Sequence, residues 1–397
     1  MPFVFNEIPV KQLLFAVTGA LDIADEYFRM HAIRVLFASL RIGEELNLDN
    51  TTLKRLFMAA ILHDVGVLSD QERAELMALE VPQDKVELHS RRGKELLQSL
   101  PEFENLASIV GYHHHPVFAM PETEEAFLAN IIHLADRIVV AAGDGLLEPG
   151  QVEESLGWVR ENAGIQFDPR IVAAFDRLTD LPSFWLDLTT DYVWERAMDY
   201  SYLIADKFVD PFVLGRLFAK MIDLRSPFTS RHSFLVASTA RRLGQEFGLS
   251  QRECNMLELA GLLHDLGKLA VPNSILEKEG KLTYEERNHV TVHPYFTYQL
   301  LNGIPGLEMV KEWAAFHHER MDGRGYPFQI PGENLSLGSR VLAVADVYAA
   351  LSEKRPYKDP LPQEEVIAIL RENAAGGGLD PHVVETVAKL PVHVDSA

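Results

Sequence analysis

Histidine and aspartate residues recur in the same order in the two halves of the chain. The first series is His31, His63, Asp64, His89, His113, His114 and Asp136, and the second is His232, His264, Asp265, His293, His317, His318 and Asp346. Imidazole and carboxylate groups are common ligands of divalent transition metals in proteins. Burying so many of these groups unpaired would be unfavourable, and a metal supplies the compensation. The second series therefore predicts a metal centre with enough ligands for two ions.

The spacing within the two series identifies an internal repeat. The interval from the first histidine to the His-Asp pair is 32 residues in both halves, and the interval from the next histidine to the His-His pair is 24 residues in both. The other two intervals differ by a few residues, as short loop insertions would make them. Matching tails follow, Arg160-Glu161-Asn162-Ala163 in the first half and Arg371-Glu372-Asn373-Ala374 in the second. We expect tandem copies of one fold over about residues 12–180 and 212–391.

The His264-Asp265 pair occupies a position suited to hydrolysis. It lies in the segment LLHDLGK, where an apolar helix face ends at Gly267. A carboxylate at such a helix end can bridge two divalent ions, which activate one water and neutralise a phosphate during in-line displacement. We take Asp265 as the candidate bridge and as a catalytic residue.

Helices are expected to position these groups. Apolar residues recur at helical spacing in nearly every segment, as in Val236, Ala240, Leu243 and Phe247, and strand-like alternation is almost absent. The predicted fold class is therefore all-α. Residues 181–211, between the two copies, are too aromatic for a flexible linker and predict a packed connecting helix. Their aromatic residues include Phe184, Trp185, Tyr192, Trp194, Tyr200 and Tyr202.

Composition narrows the classes of function. A chain of 397 residues is long for one core, so two domains are expected. The formal net charge of −21, without a run of basic residues, disfavours DNA or long RNA as a partner. A single cysteine, Cys254, cannot form an intramolecular disulfide, which fits a reducing compartment. No apolar stretch reaches the length of a membrane span, so we expect a cytoplasmic protein.

Two segments of the second copy resemble the HD-GYP phosphodiesterases, a branch of the HD metal-hydrolase superfamily. They are HDLGK (264–268) and HHERMDGRGYP (317–327), and similarity continues through SRVLAVADVYAALSEKRPYK (339–358). The resemblance implies an α-helical bundle that hydrolyses a cyclic dinucleotide, either cyclic di-GMP or 3'3'-cGAMP, to a linear dinucleotide or mononucleotides. Such an enzyme regulates second-messenger signalling.

The resemblance also implies roles for individual residues. It makes all seven members of the second series metal ligands, with two divalent ions, Fe or Mn, as the expected cofactors. It assigns Lys268, Arg355 and Lys358 to the substrate phosphates, and Lys268 to catalysis. Arginine and lysine suit that role, because they bind phosphate as a two-donor fork and as a point charge respectively.

The loop that contains Gly325, Tyr326 and Pro327 is expected at the mouth of the site and is assigned to substrate binding. Tyr326 is expected either near the substrate or packed under the metal ligands. Some family members carry a carboxylate four residues before the first ligand histidine and hold a third metal, but Phe228 stands at that position here. We therefore favour two metals. Ala349 and Asn273 replace aspartates that the family often has, which bears only on the groups around the ligands.

The first copy retains the seven ligand-type residues as a possible second metal site. Val67 replaces Lys268, no GYP loop follows His113-His114, and nothing matches the segment around Arg355. It resembles a degenerate HD domain without phosphate-binding cations. Two interpretations stay open: a metal site with a structural or regulatory use, and a hydrolase with another substrate.

Residues 1–180 are thus interpreted as a degenerate HD-type domain, 181–211 as a helical connector and 212–397 as a catalytic HD-GYP domain. The leading hypothesis is a phosphodiesterase. A di-iron oxygenase would share the ligands but lack the GYP loop, and a sensor would bind cyclic dinucleotides without turnover. Whether the chain forms a homodimer or binds a signalling protein is left open.

Overall fold

A computed structural model of the chain describes residues 7–23, 30–67, 69–76, 82–143, 149–225, 232–278, 280–353 and 360–390. The chain forms two compact units, one of residues Pro9–Val209 and one of Asp210–Ala397 together with Met1–Ile8. Helices dominate both units, and the all-α prediction is confirmed. In the described parts the only strands are β1 (Ile8–Pro9) and β2 (Phe208–Val209), which form one small sheet.

Eleven helices belong to the first unit among its described residues. They are α1 (Val10–Ile23), α2 (His31–Glu45), α3 (Asn50–Leu62), α4 (Asp70–Leu76), α5 (Gln83–Gln98), α6 (Ala107–Tyr112), α7 (Glu124–Ala142), α8 (Pro149–Glu161), α9 (Pro169–Thr179), α10 (Pro182–Thr189) and α11 (Val193–Asp199). The aromatic stretch predicted as a connector lies in this unit, where Phe184 is fully buried and its ring stacks on that of Phe37. Tyr200 donates a hydrogen bond to Glu44.

Ten helices belong to the described part of the second unit. They are α12 (Pro211–Arg225), α13 (His232–Glu246), α14 (Gln251–Leu263), α15 (Asn273–Leu276), α16 (Tyr284–Thr291), α17 (His293–Leu301), α18 (Glu308–Ala315), α19 (Leu337–Ser352), α20 (Gln363–Ala375) and α21 (Pro381–Val387). α13 packs on α14 and α19, and α17 packs on a 3₁₀ helix, Leu266–Ala270. The core lies between these helices, with Leu257, Leu263 and Val344 fully buried.

The helices that precede the two His-Asp pairs begin and end in similar ways. The Asp49 side chain accepts a hydrogen bond from the Thr52 amide at the start of α3, and Ser250 forms a capping box with Glu253 at the start of α14. α3 ends one residue before His63, and α14 ends one residue before His264. The duplication seen in the sequence is therefore also a duplication of local structure.

Within the described residues, none of the helices has both the length and the apolar character needed to cross a membrane.

Candidate metal centres

The second unit brings together all seven of its predicted metal ligands from separate helices. His232 begins α13, the His264-Asp265 pair follows α14, and His293 begins α17. The His317-His318 pair follows α18, and Asp346 lies within α19. Three overlapping groups have ligand atoms within 4.8 Å of one another: His232, His264 and Asp346; His264, Asp265 and His317; and His293, His317 and His318.

Backbone carbonyls orient three of these imidazoles. The Nδ1 atoms of His264, His293 and His317 lie 2.8, 2.7 and 2.6 Å from the carbonyl oxygens of the residues three positions earlier. A carbonyl can only accept, so these bonds assign the proton to Nδ1 and leave the Nε2 lone pair facing the cluster. Burial lowers the pKa of His293 to about 3, which keeps that imidazole in the neutral form a metal requires.

The convergence of lone pairs fits a divalent ion. Nε2 of His293 lies 3.2 Å from Nε2 of His317, and the matching pair in the first unit, His89 and His113, is separated by 3.3 Å. Two acceptor nitrogens at this separation repel each other unless a proton or a cation lies between them. Nitrogens bonded to one ion at about 2.0–2.1 Å are separated by a comparable distance. The residues present therefore fit the metal that their types predict.

Asp265 lies between the ligand groups. Its Oδ2 atom is 3.2 Å from Nε2 of His264, and its Oδ1 atom is 3.4 Å from Nε2 of His293. Burial alone would raise the pKa of Asp265, but its electrostatic interactions with His264 and Lys268 hold that pKa well below its usual range. Lys268 Nζ lies 2.6 Å from Oδ2. The two oxygens of this ionised carboxylate thus face histidines of different groups, as a bridge requires.

Glu353, which the sequence analysis missed, orients His232. One carboxylate oxygen lies 3.0 Å from Nδ1 of His232, while Nε2 of the same ring lies 3.0 Å from Oδ1 of Asp346. Glu353 is seven residues beyond Asp346, at the end of α19. A carboxylate that accepts the Nδ1 proton of a ligand histidine fixes its tautomer and increases its basicity. The residue at the corresponding position of the first unit is Gly143, which has no side chain.

Glu353→Ala should weaken metal binding by the second unit by about 10–100-fold, the usual effect of losing such an outer carboxylate. Glu353→Gln should lose less, because its amide oxygen still accepts the hydrogen bond. The measurement is a competition titration with a chelator, in a chain whose first cluster is removed by His63→Ala and Asp64→Ala. Unchanged affinity in Glu353→Ala would show that the backbone of α13 alone holds His232.

A buried glutamate also anchors the loop that follows the His-His pair. The Glu319 carboxylate accepts hydrogen bonds from the amides of Phe328, Gln329 and Ile330 at 2.8, 3.2 and 3.0 Å. The ring of Tyr326 lies 4.8 Å from that of His318, centroid to centroid. Burial, with the nearby negative charges of Asp346 and Asp265, raises the pKa of Tyr326, so its hydroxyl stays protonated. The structure therefore places Tyr326 against a predicted metal ligand.

Of five other residues singled out in the sequence, only two lie in the described part of the structure. Arg355, Lys358 and Phe228 lie outside the described residues. Asn273 accepts a hydrogen bond from the buried Arg225 at 3.0 Å, so it braces α12. Ala349 is fully buried in α19.

The first unit brings its ligand-type residues together differently. Its groups are His31, His63 and Asp64, and Asp64, His89, His113 and His114. Among the described residues Asp136 belongs to neither group, whereas Asp346 belongs to one in the second unit. Oδ1 of Asp136 lies 3.2 Å from Nε2 of His31, and its Oδ2 accepts hydrogen bonds from Arg137, a buried cation that the sequence analysis missed. An alignment of the two copies on Asp136 and Asp346 places Arg137 opposite Val347. That difference in charge is the signal in the sequence that singles out Arg137.

Comparisons with known proteins agree with this duplicated architecture. Family models described as HD domain match residues 28–141 and 216–383. The chain is 29% identical to the 3'3'-cGAMP-specific phosphodiesterase 1 of Vibrio cholerae, over 96% of this chain and 92% of that protein. It is 28% identical to phosphodiesterase 3 of the same name and organism, over 93% of this chain and 92% of that protein.

Of two further matches, one covers less than half of this chain and the other covers nearly all of it. The cyclic di-GMP phosphodiesterase response regulator RpfG of Xanthomonas campestris is 38% identical over 44% of this chain and 47% of its own length. The crystal structure of the cyclic GMP-AMP specific phosphodiesterase V-cGAP3 of V. cholerae matches with a TM-score of 0.63 and 24% identity, over 97% of this chain and 99% of that one. This likeness shows that the two chains share a fold. The chain belongs to the HD-domain family, with two HD domains in tandem and the HD-GYP motifs in the second.

Proposed function

We propose that the second unit hydrolyses the phosphodiester bond of a cyclic dinucleotide. The observation that carries this proposal is the cluster of three overlapping ligand groups, the middle one of which contains the buried Asp265 with Lys268 beside it. A pair of divalent ions on such ligands supplies water activation and neutralises phosphate charge. We expect two ions, Fe or Mn, held by the seven His and Asp residues of this unit.

The chain's own residues would orient the substrate. Lys268 is partly exposed, with its ammonium at the edge of the cluster, so it can contact a phosphate beside Asp265. Arg355 and Lys358 are proposed as further phosphate contacts. Gly325, Tyr326 and Pro327 lie in the loop that Glu319 anchors, next to His318. The protonated Tyr326 hydroxyl is a hydrogen-bond donor that this loop could present to a phosphate or ribose oxygen.

The relatives suggest the substrate class. Two that match over nearly the whole chain are named for 3'3'-cGAMP, and the relatives that match less than half of it include ones named for cyclic di-GMP and one named for 3'3'-cGAMP. We therefore propose 3'3'-cGAMP or cyclic di-GMP as substrate, a linear dinucleotide or mononucleotides as product, and a cytoplasmic role in second-messenger signalling.

The test is to purify the chain anaerobically, measure its metal content and assay 3'3'-cGAMP, cyclic di-GMP and cyclic di-AMP separately by chromatography. We expect linear product from at least one of the first two, loss of turnover with a chelator and its return with Mn²⁺ or Fe²⁺. A metal-loaded chain that binds these compounds but releases no product would instead be a sensor.

A further inference from the structure

The first unit contains a buried cation at its cluster of ligand-type residues. Arg137 is 4% exposed and immediately follows Asp136 in α7. Its Nη2 and Nε atoms donate hydrogen bonds to the same Asp136 oxygen, Oδ2, at 2.6 and 3.2 Å. That oxygen also lies 3.7 Å from Nε2 of His114. The guanidinium is therefore bound to the side of Asp136 that faces the cluster.

The second unit provides a comparison, because it has an apolar residue at the position of Arg137. Asp346, the counterpart of Asp136, belongs to a ligand group with His232 and His264, and Val347 stands where the first unit has Arg137. In the first unit the corresponding group contains His31, His63 and Asp64 without Asp136. Oδ1 of Asp136 still lies 3.2 Å from Nε2 of His31, much as Oδ1 of Asp346 lies 3.0 Å from Nε2 of His232, but the other oxygen of Asp136, Oδ2, is paired with an internal cation.

The space around Arg137 is small. The gap lined by His31, Asp64, Leu76, His114, Asp136, Arg137 and Val140 is too small to hold a water molecule. The guanidinium and the ligand atoms therefore share one confined volume. A divalent ion placed there would lie beside a fixed positive charge in a poorly solvated site, where like charges repel strongly. The same gap is far too small for a cyclic dinucleotide, since pockets for drug-sized ligands have volumes of about 300 Å³ or more.

The remaining ligand group is complete without Asp136. Asp64, His89, His113 and His114 are all buried, and one atom from each lies within 4.8 Å of the others. Nδ1 of His113 is bound to the carbonyl of Val110 at 2.5 Å, so its Nε2 faces the group. Three imidazoles and one carboxylate are sufficient for a four-coordinate divalent ion.

We propose that the first unit binds one divalent ion, on Asp64, His89, His113 and His114, and that the Arg137 guanidinium takes the place of the second. The guanidinium neutralises Asp136 but has no open coordination position with which to activate water. The first unit is then a mononuclear site without phosphodiester turnover. This inference concerns metal content, and it stands or falls independently of the substrate of the second unit.

The first experiment counts metal in a chain whose second cluster is removed by His264→Ala and Asp265→Ala. After reconstitution with Mn²⁺ alone and gel filtration, elemental analysis should give one ion per chain, and Arg137→Val on this background should give two. The matched control Arg92→Val removes the partly buried ion pair with Glu72 in the same unit and should leave one. Zero or two ions before the Arg137 substitution, or one ion in a folded Arg137→Val chain, would overturn the proposal.

Thermal unfolding distinguishes an Arg137 that takes the place of an ion from an Arg137 that only packs in the core. Removing Arg137 leaves Asp136 buried without its partner, which is destabilising unless another cation replaces it. The melting temperature of Arg137→Val should therefore fall in chelator and recover with Mn²⁺ by more than that of the parent chain. A fall that Mn²⁺ does not reverse would mean that Arg137 serves packing alone.

The reciprocal exchange keeps the proposal testable if Arg137→Val fails to fold. Val347→Arg places a guanidinium beside Asp346, where the side chain of Val347 is only partly buried. With the first cluster removed by His63→Ala and Asp64→Ala, this substitution should reduce the ion count of the second unit from two to one. A count that stays at two would contradict the inference that an arginine at this position displaces an ion.

Discussion

Asp265→Ala should abolish hydrolysis of the cyclic dinucleotide, whereas Asp64→Ala should leave at least part of it. Asp265 is the carboxylate whose two oxygens face different histidines of the second unit, and in our proposal its loss would remove a ligand that the two ions share. Divalent ions held there would supply the activation of water, so the variant should lose it. Initial rates on matched, metal-reconstituted preparations are the measurement.

Asp64→Ala is the matched control, because Asp64 faces His63 and His89 as Asp265 faces His264 and His293. It should lower the metal content of the first unit without removing turnover. Equal loss of activity in the two variants would contradict the assignment of catalysis to the second unit alone. Full activity in Asp265→Ala would show that the turnover comes from elsewhere in the chain.

Gly267→Ala should reduce turnover by on the order of 100-fold, since a displacement of about 1 Å at a catalytic site has effects of that size. An added Cβ would lie 1.9 Å from the carbonyl oxygen of His293 and 2.8 Å from the amide nitrogen of Thr297. Both atoms are backbone, so the 3₁₀ helix of Gly267 must move away from α17. That movement separates His293 from Asp265. Overpacking of this kind also lowers the free energy of unfolding by about 1–3 kcal/mol.

Kinetics, metal content and thermal unfolding of Gly267→Ala should be compared with two other glycine variants. Gly376→Ala meets its nearest neighbour, the carbonyl oxygen of Asn373, at an ordinary 3.5 Å and should behave like the wild type. Gly66→Ala meets the carbonyl oxygen of His89 at 2.2 Å and should destabilise the first unit while the second still turns over. Turnover and metal content of Gly267→Ala equal to those of wild type would show that α17 tolerates the shift.

The two units illustrate how similar ligand sets can acquire different chemistry. Both keep a His-Asp pair after a helix, both bring a glycine against a histidine carbonyl, and both direct imidazole nitrogens at one another. They differ in the groups around Asp136 and Asp346. The second unit adds Glu353 behind His232, and the first unit adds Arg137 on Asp136. In our proposal Arg137 determines how many ions the first unit holds, and Glu353 strengthens metal binding by the second unit.

The sequence by itself determined the fold class, the duplication and the residues that could serve as ligands. Helical periodicity is a local property, and the identical intervals of 32 and 24 residues are visible without any structure. The HD-GYP motifs then indicated the chemistry, because their residues lie close together in the chain. The structure brings the seven predicted ligands of the second unit into one cluster.

The side chains that support those ligands can be identified only in the folded structure. Glu353 is 121 residues from the histidine that it orients, and no short motif contains both. Glu319 was visible in the HHERMDGRGYP segment, but its bonds to three amides depend on how the loop folds back. In the sequence, Arg137 cannot be distinguished from any other charged residue of a helix. The structure shows that it is buried and donates a hydrogen bond to Asp136. A buried polar group must find its partner in three dimensions, and that partner comes from whichever element packs against it.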